Sequence, residues 1–329
     1  MMYKALVVEK ENGGFKRSVK TLEVDDLPDN DTLVRVSYSS LNFKDALSAT
    51  GNKGVTRKFP HTPGIDAAGV IEETKSDAFK PGDEVIVTSY DLGMNTFGGF
   101  GEYIRVPSEW IVKLPSGLSL KQSMIYGTAG FTAGMSVYEL VSRIKPDDGE
   151  ILVTGATGGV GSMAVSILST LGYSVACVSG KPGAPEHLKP LGAKRILSRE
   201  EFLKDHEKPL LKEEWAGAID TAGGDLLACA IKSARLGGIV TCCGNTAGGE
   251  LPLTVFPFIL RGISLVGIDS QHCPMERRKA VWEHLAGDWK FDHLDDLYTE
   301  TDLEGLDPYI DRILKGEITG RTLIKVAAG

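Results

Sequence analysis

Residues 151–181 read ILVTGATGGVGSMAVSILSTLGYSVACVSGK. The apolar run Ile151 to Thr154 leads into Gly155-x-x-Gly158-Gly159-x-Gly161. A stretch with helical spacing follows, Gly161 to Leu171, and then a second apolar run, Ser174 to Val178. Strand, glycine turn, helix and strand within about 30 residues is the setting in which such glycines bind a dinucleotide. Gly158 and Gly159 let the backbone approach a pyrophosphate. Gly161 lets the helix pack tightly on the strand, and the amides at the helix start face the negative charge. Thr157 and Val160 belong to the same turn. The competing reading is a glycine-rich turn without a ligand. A P-loop does not fit, because no Gly-Lys-Ser/Thr closes the turn.

The end of the second strand selects the cofactor. A unit that prefers NAD places Asp or Glu there for the ribose 2′-hydroxyl. Between Ile151 and Pro185 there is neither. The strand ends instead in Ser179-Gly180-Lys181, and Arg199 follows the next short strand. A hydroxyl and cations suit a 2′-phosphate, which a carboxylate would repel. The expected cofactor is therefore NADPH. Lys181 also has an ordinary reading, as a solvated surface lysine.

Outward from this unit the pattern continues. Strands are expected at Arg195–Leu197, Ala216–Asp220 and Gly238–Cys243, with helices at Glu186–Leu191 and Leu226–Ala234. Such alternation implies a parallel sheet covered by helices. Strands such as ILVT and GIVTCC are apolar throughout, as a sheet buried on both faces requires. The first ~120 residues differ in texture. Lys4–Glu9, Thr32–Ser39, Val70–Glu73, Glu84–Thr88 and Tyr103–Pro107 read as short strands, with a turn at Leu27–Asp31. They suggest a curled sheet or partial barrel. Leu120–Val141 has helical spacing. Near the end, Pro274–Leu285 and Leu303–Leu314 read as helices and Thr322–Val326 as a strand. Phe256–Gly267 is apolar and strand-like.

The chain has 329 residues, enough for two domains with full cores. A net charge of −8 makes a general nucleic-acid binder unlikely. No apolar run approaches ~18 residues, so no membrane span is expected, and the polar N-terminal stretch is no signal peptide. Of five cysteines none precedes Cys177 and none forms a CxxC pair. That fits a reducing compartment, and a cytoplasmic location is expected. Cys242-Cys243 reads as strand core. The six histidines, His61, His187, His206, His272, His284 and His293, show no zinc spacing. There is no G-x-S-x-G elbow of a serine hydrolase.

Several segments carry a family resemblance. Ser40-Leu41-Asn42-Phe43-Lys44-Asp45-Ala46-Leu47, Pro63-Gly64-Ile65-Asp66-Ala67-Ala68-Gly69 and Gly127-Thr128-Ala129-Gly130-Phe131-Thr132-Ala133 are among them. With the β-rich start and the later GATGGVG, the chain resembles the medium-chain dehydrogenase/reductase superfamily over essentially its whole length. It looks closest to the quinone-oxidoreductase-like branch without zinc. Zinc-dependent relatives carry Gly-His-Glu shortly after the Pro-Gly segment, whereas here Ile65-Asp66 follow Pro63-Gly64; they also carry a cysteine-rich lobe, and the first cysteine here is Cys177. Within the branch, SLNFKDAL, GTAGFTA, VTGATGGVGS, VSGK, WAGAIDT, PFILRGISLVGIDS and GRTLIKV resemble the acrylyl-CoA reductase subfamily. One departure is Phe43, where some relatives carry Tyr. A phenol that donated a proton there is missing from this chain.

The resemblance implies an α/β chain of two domains. A β-rich, GroES-like catalytic domain with a curled sheet would hold residues 1–121 and 271–329. A Rossmann domain, a doubly wound parallel sheet, would hold 122–270 and bind NADPH. Asn42 and Asp45 would lie at the cleft between the domains as catalytic candidates, although both are also ordinary turn formers. Phe43, Asn245, Ser270 and Arg321 would approach the cofactor. Arg321 has an alternative as one side of a surface salt bridge. The implied activity is reduction of an activated C=C bond, acrylyl-CoA to propanoyl-CoA, with NADPH and no metal. An NADPH-dependent quinone or enone reductase, or an NADPH-binding protein without activity, are the alternatives. Lys53, Arg57 and Lys58 form a basic loop that suits CoA phosphates or plain solvation. The apolar run 256–267 suggests a homodimer formed by pairing strands across a two-fold axis.

Overall fold

A computed structural model describes residues 1–327. In chain order the elements are β1 (Met2–Glu11), β2 (Gly14–Glu23), β3 (Thr32–Ser40), α1 (Phe43–Ala49), β4 (Asp66–Thr74), β5 (Glu84–Thr88), β6 (Tyr103–Val106), β7 (Ile111–Lys113) and α2 (Leu120–Val141). Then come β8 (Ile151–Thr154), α3 (Gly159–Thr170), β9 (Val175–Ser179), α4 (Ala184–Leu188), β10 (Ala193–Ser198), α5 (Arg199–Phe202), β11 (Trp215–Asp220), α6 (Gly224–Ser233), β12 (Ala234–Cys242), α7 (Phe256–Arg261) and β13 (Ser264–Gly267). The chain closes with α8 (Met275–Ala286), β14 (Tyr298–Thr301), α9 (Asp307–Leu314) and β15 (Arg321–Lys325).

Two compact units result. The first holds residues 1–128, 271–286 and, among the described residues, 294–327, and the second Ala129–Ser270 and Gly287–His293. The division falls after Thr128, inside α2, and residues 287–293 group with the second unit. The expected boundaries were 121/122 and 270/271. Residues 328–329, expected in the first domain, lie outside the described residues.

In the first unit β1 and β2 form an antiparallel hairpin, turned by Asn12 and Gly13 at φ 49° and 81°. The main sheet runs β14-β15-β3-β4-β5-β7, with β6 also paired to β3. The β3–β4 register shifts between Leu33 and Val34 and again between Val36 and Tyr38, and such irregularities bend a sheet. Val34, Val36, Ala67, Val85, Val87 and Ile324 form its buried face. Ile310 of α9 and Leu306, the residue before the helix, pack into the same core.

In the second unit six strands run β10-β9-β8-β11-β12-β13, and every pairing is parallel. The chain winds outward from β8 to β10, then returns to β11 on the other side of β8. The reversal lies between β8 and β11, where open α/β sheets bind ligands at the strands' C-terminal ends.

The structure differs from the sequence reading in several places. Phe256–Arg261 is a short helix, with Pro257 in its first turn, and only Ser264–Gly267 is a strand. Pro fits a first helical turn, where its missing N–H costs nothing. α2 is broken at Gly127, which takes φ 50° and ψ −157°. Cys242 ends β12 half-buried, and Cys243 follows outside the strand. β2, β7 and β14 were not expected at all.

Candidate active site

The nucleotide-binding candidates other than Phe43 and Arg321, which belong to the first unit, lie in the second unit. β8 ends at Thr154, and Gly155 turns the chain at φ 59°. A side chain on Gly155 would meet the Thr221 hydroxyl at 2.4 Å, so glycine is required there. Gly161 packs where a Cβ would sit 2.4 Å from the Gly155 carbonyl and 2.6 Å from the Ala156 Cα, which draws α3 onto the turn. Gly158, in contrast, has space. Its Cβ would meet only the Gly155 carbonyl, at 3.3 Å. Gly158 is the N-cap of α3 and no side chain caps the helix start. Its leading amides therefore keep the donor capacity that an anion takes up. Val160 lies in the first turn of this helix.

Thr157, buried, bonds across to Ser179 at the end of β9, Oγ1 to Oγ 3.0 Å. The Ser179 hydroxyl also accepts the Lys181 amide at 3.2 Å. Arg199 opens α5 and lies over Gly180, whose Cβ would be 3.6 Å from the Arg199 Nε. Thr157 to Gly161, Ser179, Gly180, Lys181 and Arg199 are thus brought together at the ends of β8, β9 and β10. Burial lowers the Lys181 ammonium from its ordinary value, and a bound dianion would reverse that. The set fits a phosphorylated dinucleotide. Asn245 is exposed beyond β12, and Ser270 lies half-buried beyond β13.

Asn42, Phe43, Asp45 and Arg321 gather in the first unit. Asp45 is in the first turn of α1, and its Oδ2 accepts the Asn42 amide at 2.8 Å. Its Oδ1 accepts the amides of Gly64, at 3.2 Å, and Ile65, at 2.8 Å. The carboxylate therefore staples α1 to the turn before β4. Burial and the Asp66 carboxylate push Asp45 up to about 7, against the amides that hold it down. The Asn42 Nδ2 donates to Asp66 at 2.7 Å and to the Ser40 carbonyl at 3.2 Å. Phe43 begins α1 and is exposed.

Arg321 is not on the surface. It is 4% exposed, and its guanidinium reaches the Ile125 carbonyl at 3.0 Å, the Leu41 carbonyl at 3.2 Å, the Asn42 Oδ1 at 3.3 Å and the Ser40 hydroxyl at 2.8 Å. The salt bridge is buried, to Asp66 at 3.8 Å.

Asp66 is the residue that sequence reasoning passed over. It accepts Ser40 Oγ at 2.6 Å, Thr128 Oγ1 at 2.6 Å and the Thr128 amide at 2.9 Å. The break at Gly127 makes this possible. It frees the Thr128 amide from the helix ladder, and a Cβ at 127 would collide with Ser40 Oγ, Asp66 Oδ2 and Arg321 at 2.4 to 2.8 Å. The available signal was an acid opening the apolar run Asp66-Ala67-Ala68-Gly69-Val70, since a buried carboxylate needs partners.

A zinc ion does not fit this group. The acceptor oxygens of Asp66 face N–H and O–H donors and a guanidinium, and Ile65 offers no ligand atom. His61 Nε2 is engaged by the Gly93 carbonyl at 2.9 Å. Among the described residues no cluster of three His, Cys, Asp or Glu has the arrangement of a metal site. Nor, among them, is any helix long and apolar enough to cross a membrane.

Two family models match the chain, the alcohol dehydrogenase GroES-like domain over residues 28–116 and the zinc-binding dehydrogenase domain over 159–287. The chain belongs to the medium-chain dehydrogenase/reductase superfamily, in the quinone-oxidoreductase-like branch that contains acrylyl-CoA reductases. It is 42% identical to the acrylyl-CoA reductase AcuI of Ruegeria pomeroyi, covering 99% of this chain and 100% of that one. It superposes on the YhdH oxidoreductase of Salmonella enterica, solved with NADP, with TM-score 0.96 and 45% identity over 99% and 100% of the two chains. The YhfP protein of Bacillus subtilis, solved with NAD, gives TM-score 0.96 and 45% identity over 99% of each chain.

Proposed function

We propose that this chain is an NADPH-dependent reductase of a short α,β-unsaturated acyl thioester, acrylyl-CoA foremost, working without a metal ion and as a homodimer in the cytoplasm. The observation that carries this reading is full-length similarity to an acrylyl-CoA reductase, joined to a nucleotide end with Ser179 and Lys181 in a stretch, Ile151 to Pro185, that has no carboxylate, and with Arg199 beside it. Bound NADPH supplies the hydride that the β-carbon receives, and the α-carbon takes a proton. Reduction of an activated C=C bond needs no Lewis acid, because the thioester carbonyl already withdraws charge.

The chain's own part is positioning and charge. Ser179, Lys181 and Arg199 hold the 2′-phosphate, and the start of α3 holds the pyrophosphate. Asn42 and Asp45 fix the turn that presents Phe43. Arg321 neutralises Asp66, so that Asp66 can orient Thr128 and Asn42 without an uncompensated buried charge. All five cysteines are free, in keeping with a reducing compartment. Dimerisation is supported by the edge strand β13 beside the exposed apolar side chains of Val255, Ile259 and Leu260.

The test is product identity. Incubation with NADPH and acrylyl-CoA should give propanoyl-CoA in one-to-one ratio with NADP, seen by mass spectrometry. NADPH consumption by small quinones alone would instead support the quinone-reductase reading.

A further inference from the structure

β5 is followed by two consecutive residues in the left-handed region, Ser89 at φ 65° and Tyr90 at φ 51°. Neither is glycine, and side chains rarely adopt this backbone. Something must hold both. Ser89 is tied by its amide to the Ile65 carbonyl at 2.7 Å and by its hydroxyl to Thr128 Oγ1 at 3.0 Å. Thr128 in turn donates to Asp66. The strained pair is therefore the end of a hydrogen-bond chain, Ser89 to Thr128 to Asp66.

The Tyr90 ring lies flat on Trp110, with centroids 5.4 Å apart and planes 7° from parallel. The Arg278 guanidinium covers the ring at 4.3 Å. Arg278 projects from α8 and is wholly buried. Its Nη1 donates to the Thr88 carbonyl at 3.0 Å and the Thr88 hydroxyl at 2.9 Å, and its Nη2 reaches the Gln271 carbonyl at 3.4 Å. Burial draws its pKa down from the ordinary value, and the Tyr90, Cys273 and Asp66 side chains oppose that shift. A desolvated cation is thus committed to the residues either side of Ser89. A planar guanidinium can bond Thr88 and Gln271 through its edge while its flat face lies on Tyr90; an ammonium has neither the flat face nor the forked donors.

We propose that Arg278 is a positioning residue for the reaction. It clamps Thr88 and Tyr90, holds Ser89 against Thr128, and so fixes the Asp66 network through Thr128. The role in turnover rests on the reductase reading above; the clamp itself does not.

Two measurements test it. In Arg278→Lys, kcat with acrylyl-CoA should fall by about tenfold or more, the scale of an ångström-sized misplacement. NADPH affinity, by fluorescence titration, should stay within about twofold, because the residues assigned to the pyrophosphate and the 2′-phosphate lie in the other unit. Amide exchange of residues 84–97 should quicken, with a cooperative melt retained. Tyr90→Leu should lose kcat in the same way, and Tyr90→Phe, which keeps the ring, should restore most of it. Unchanged exchange in Arg278→Lys overturns the clamp. Equal loss of kcat, NADPH affinity and melting cooperativity overturns it too, since that marks a general folding role. If the wild type reduces no acyl thioester, the reductase reading fails, and the exchange result alone decides the clamp.

Discussion

The Nδ2 of Asn42 lies 2.7 Å from the Oδ2 of Asp66, and the same amide's oxygen accepts from Arg321 at 3.3 Å. Both ends of the Asn42 side chain are spent inside the first unit. In the proposed reaction Asn42 would therefore act through what it holds. Asn42→Ala should lower kcat by about 10- to 100-fold while NADPH affinity stays within about twofold. Steady-state kinetics beside a direct NADPH titration check the split.

Arg321 and Asp66 form a buried ion pair, and removing one partner leaves the other charge alone in a dry site. Arg321→Met should destabilise the protein by about 3–5 kcal/mol. Adding Asp66→Asn should return part of that loss, so the double variant is less destabilised than the sum of the singles by at least ~1 kcal/mol. Urea unfolding of the four proteins measures the coupling. Additive losses would show that the two side chains do not act as a pair.

Asp45 is a carboxyl whose folded-state pKa lies above the ordinary value, at about 7. The folded state therefore binds a proton that the unfolded chain has already lost between about pH 4 and 7. Stability from this group is greatest below that window and falls as pH rises through it. Asp45→Asn should remove this slope. Urea midpoints at pH 5 and pH 8 should converge in the variant relative to wild type, and an unchanged difference would exclude Asp45 as its source.

How much of this was legible in the sequence depended on range. The glycine turn of residues 155–161 could be read because its geometry is local: the strand, the turn and the helix are consecutive. The cofactor end could be read because a missing acid is visible in a short segment. The Asp66 network could not. Its members come from β3, β4, the break in α2 and the first residue of β15, and the first two and the last meet only through sheet pairing. A charged, half-buried outer strand such as β2 carries little apolar alternation and passed unseen. Phe256–Arg261 reads as strand from sequence because a run of apolar residues has no period of its own, and Pro257 opens a helix as readily as it ends a strand.

Cofactor choice has a direct test at Lys181. Lys181→Ala should weaken NADPH binding by about 1–3 kcal/mol, the scale of a lost charge-assisted bond. NADH binding should barely move. Isothermal titration with both cofactors makes the comparison, and equal losses would remove the 2′-phosphate from Lys181.

Assembly can be tested on α7. Ile259 is 69% exposed and Leu260 60% exposed, beside the edge strand β13. Ile259→Asp with Leu260→Asp should turn a two-chain species into a 35.3 kDa one in sedimentation velocity at micromolar concentration. A wild type that already sediments as a single chain would exclude the dimer.

The most direct test of the central claim is kcat/KM for acrylyl-CoA beside free acrylate and small quinones, all at matched NADPH. On the proposed reading the CoA portion of the thioester would supply binding energy remote from the reacting bond, and such energy can orient the reacting atoms. Free acrylate lacks it, and its ionised carboxylate activates the double bond less. Acrylyl-CoA should exceed acrylate by at least ~10²-fold, equivalent to about 3 kcal/mol of transition-state stabilisation, and should exceed every quinone. A quinone with the higher kcat/KM, or acrylate equal to its thioester, would contradict the assignment.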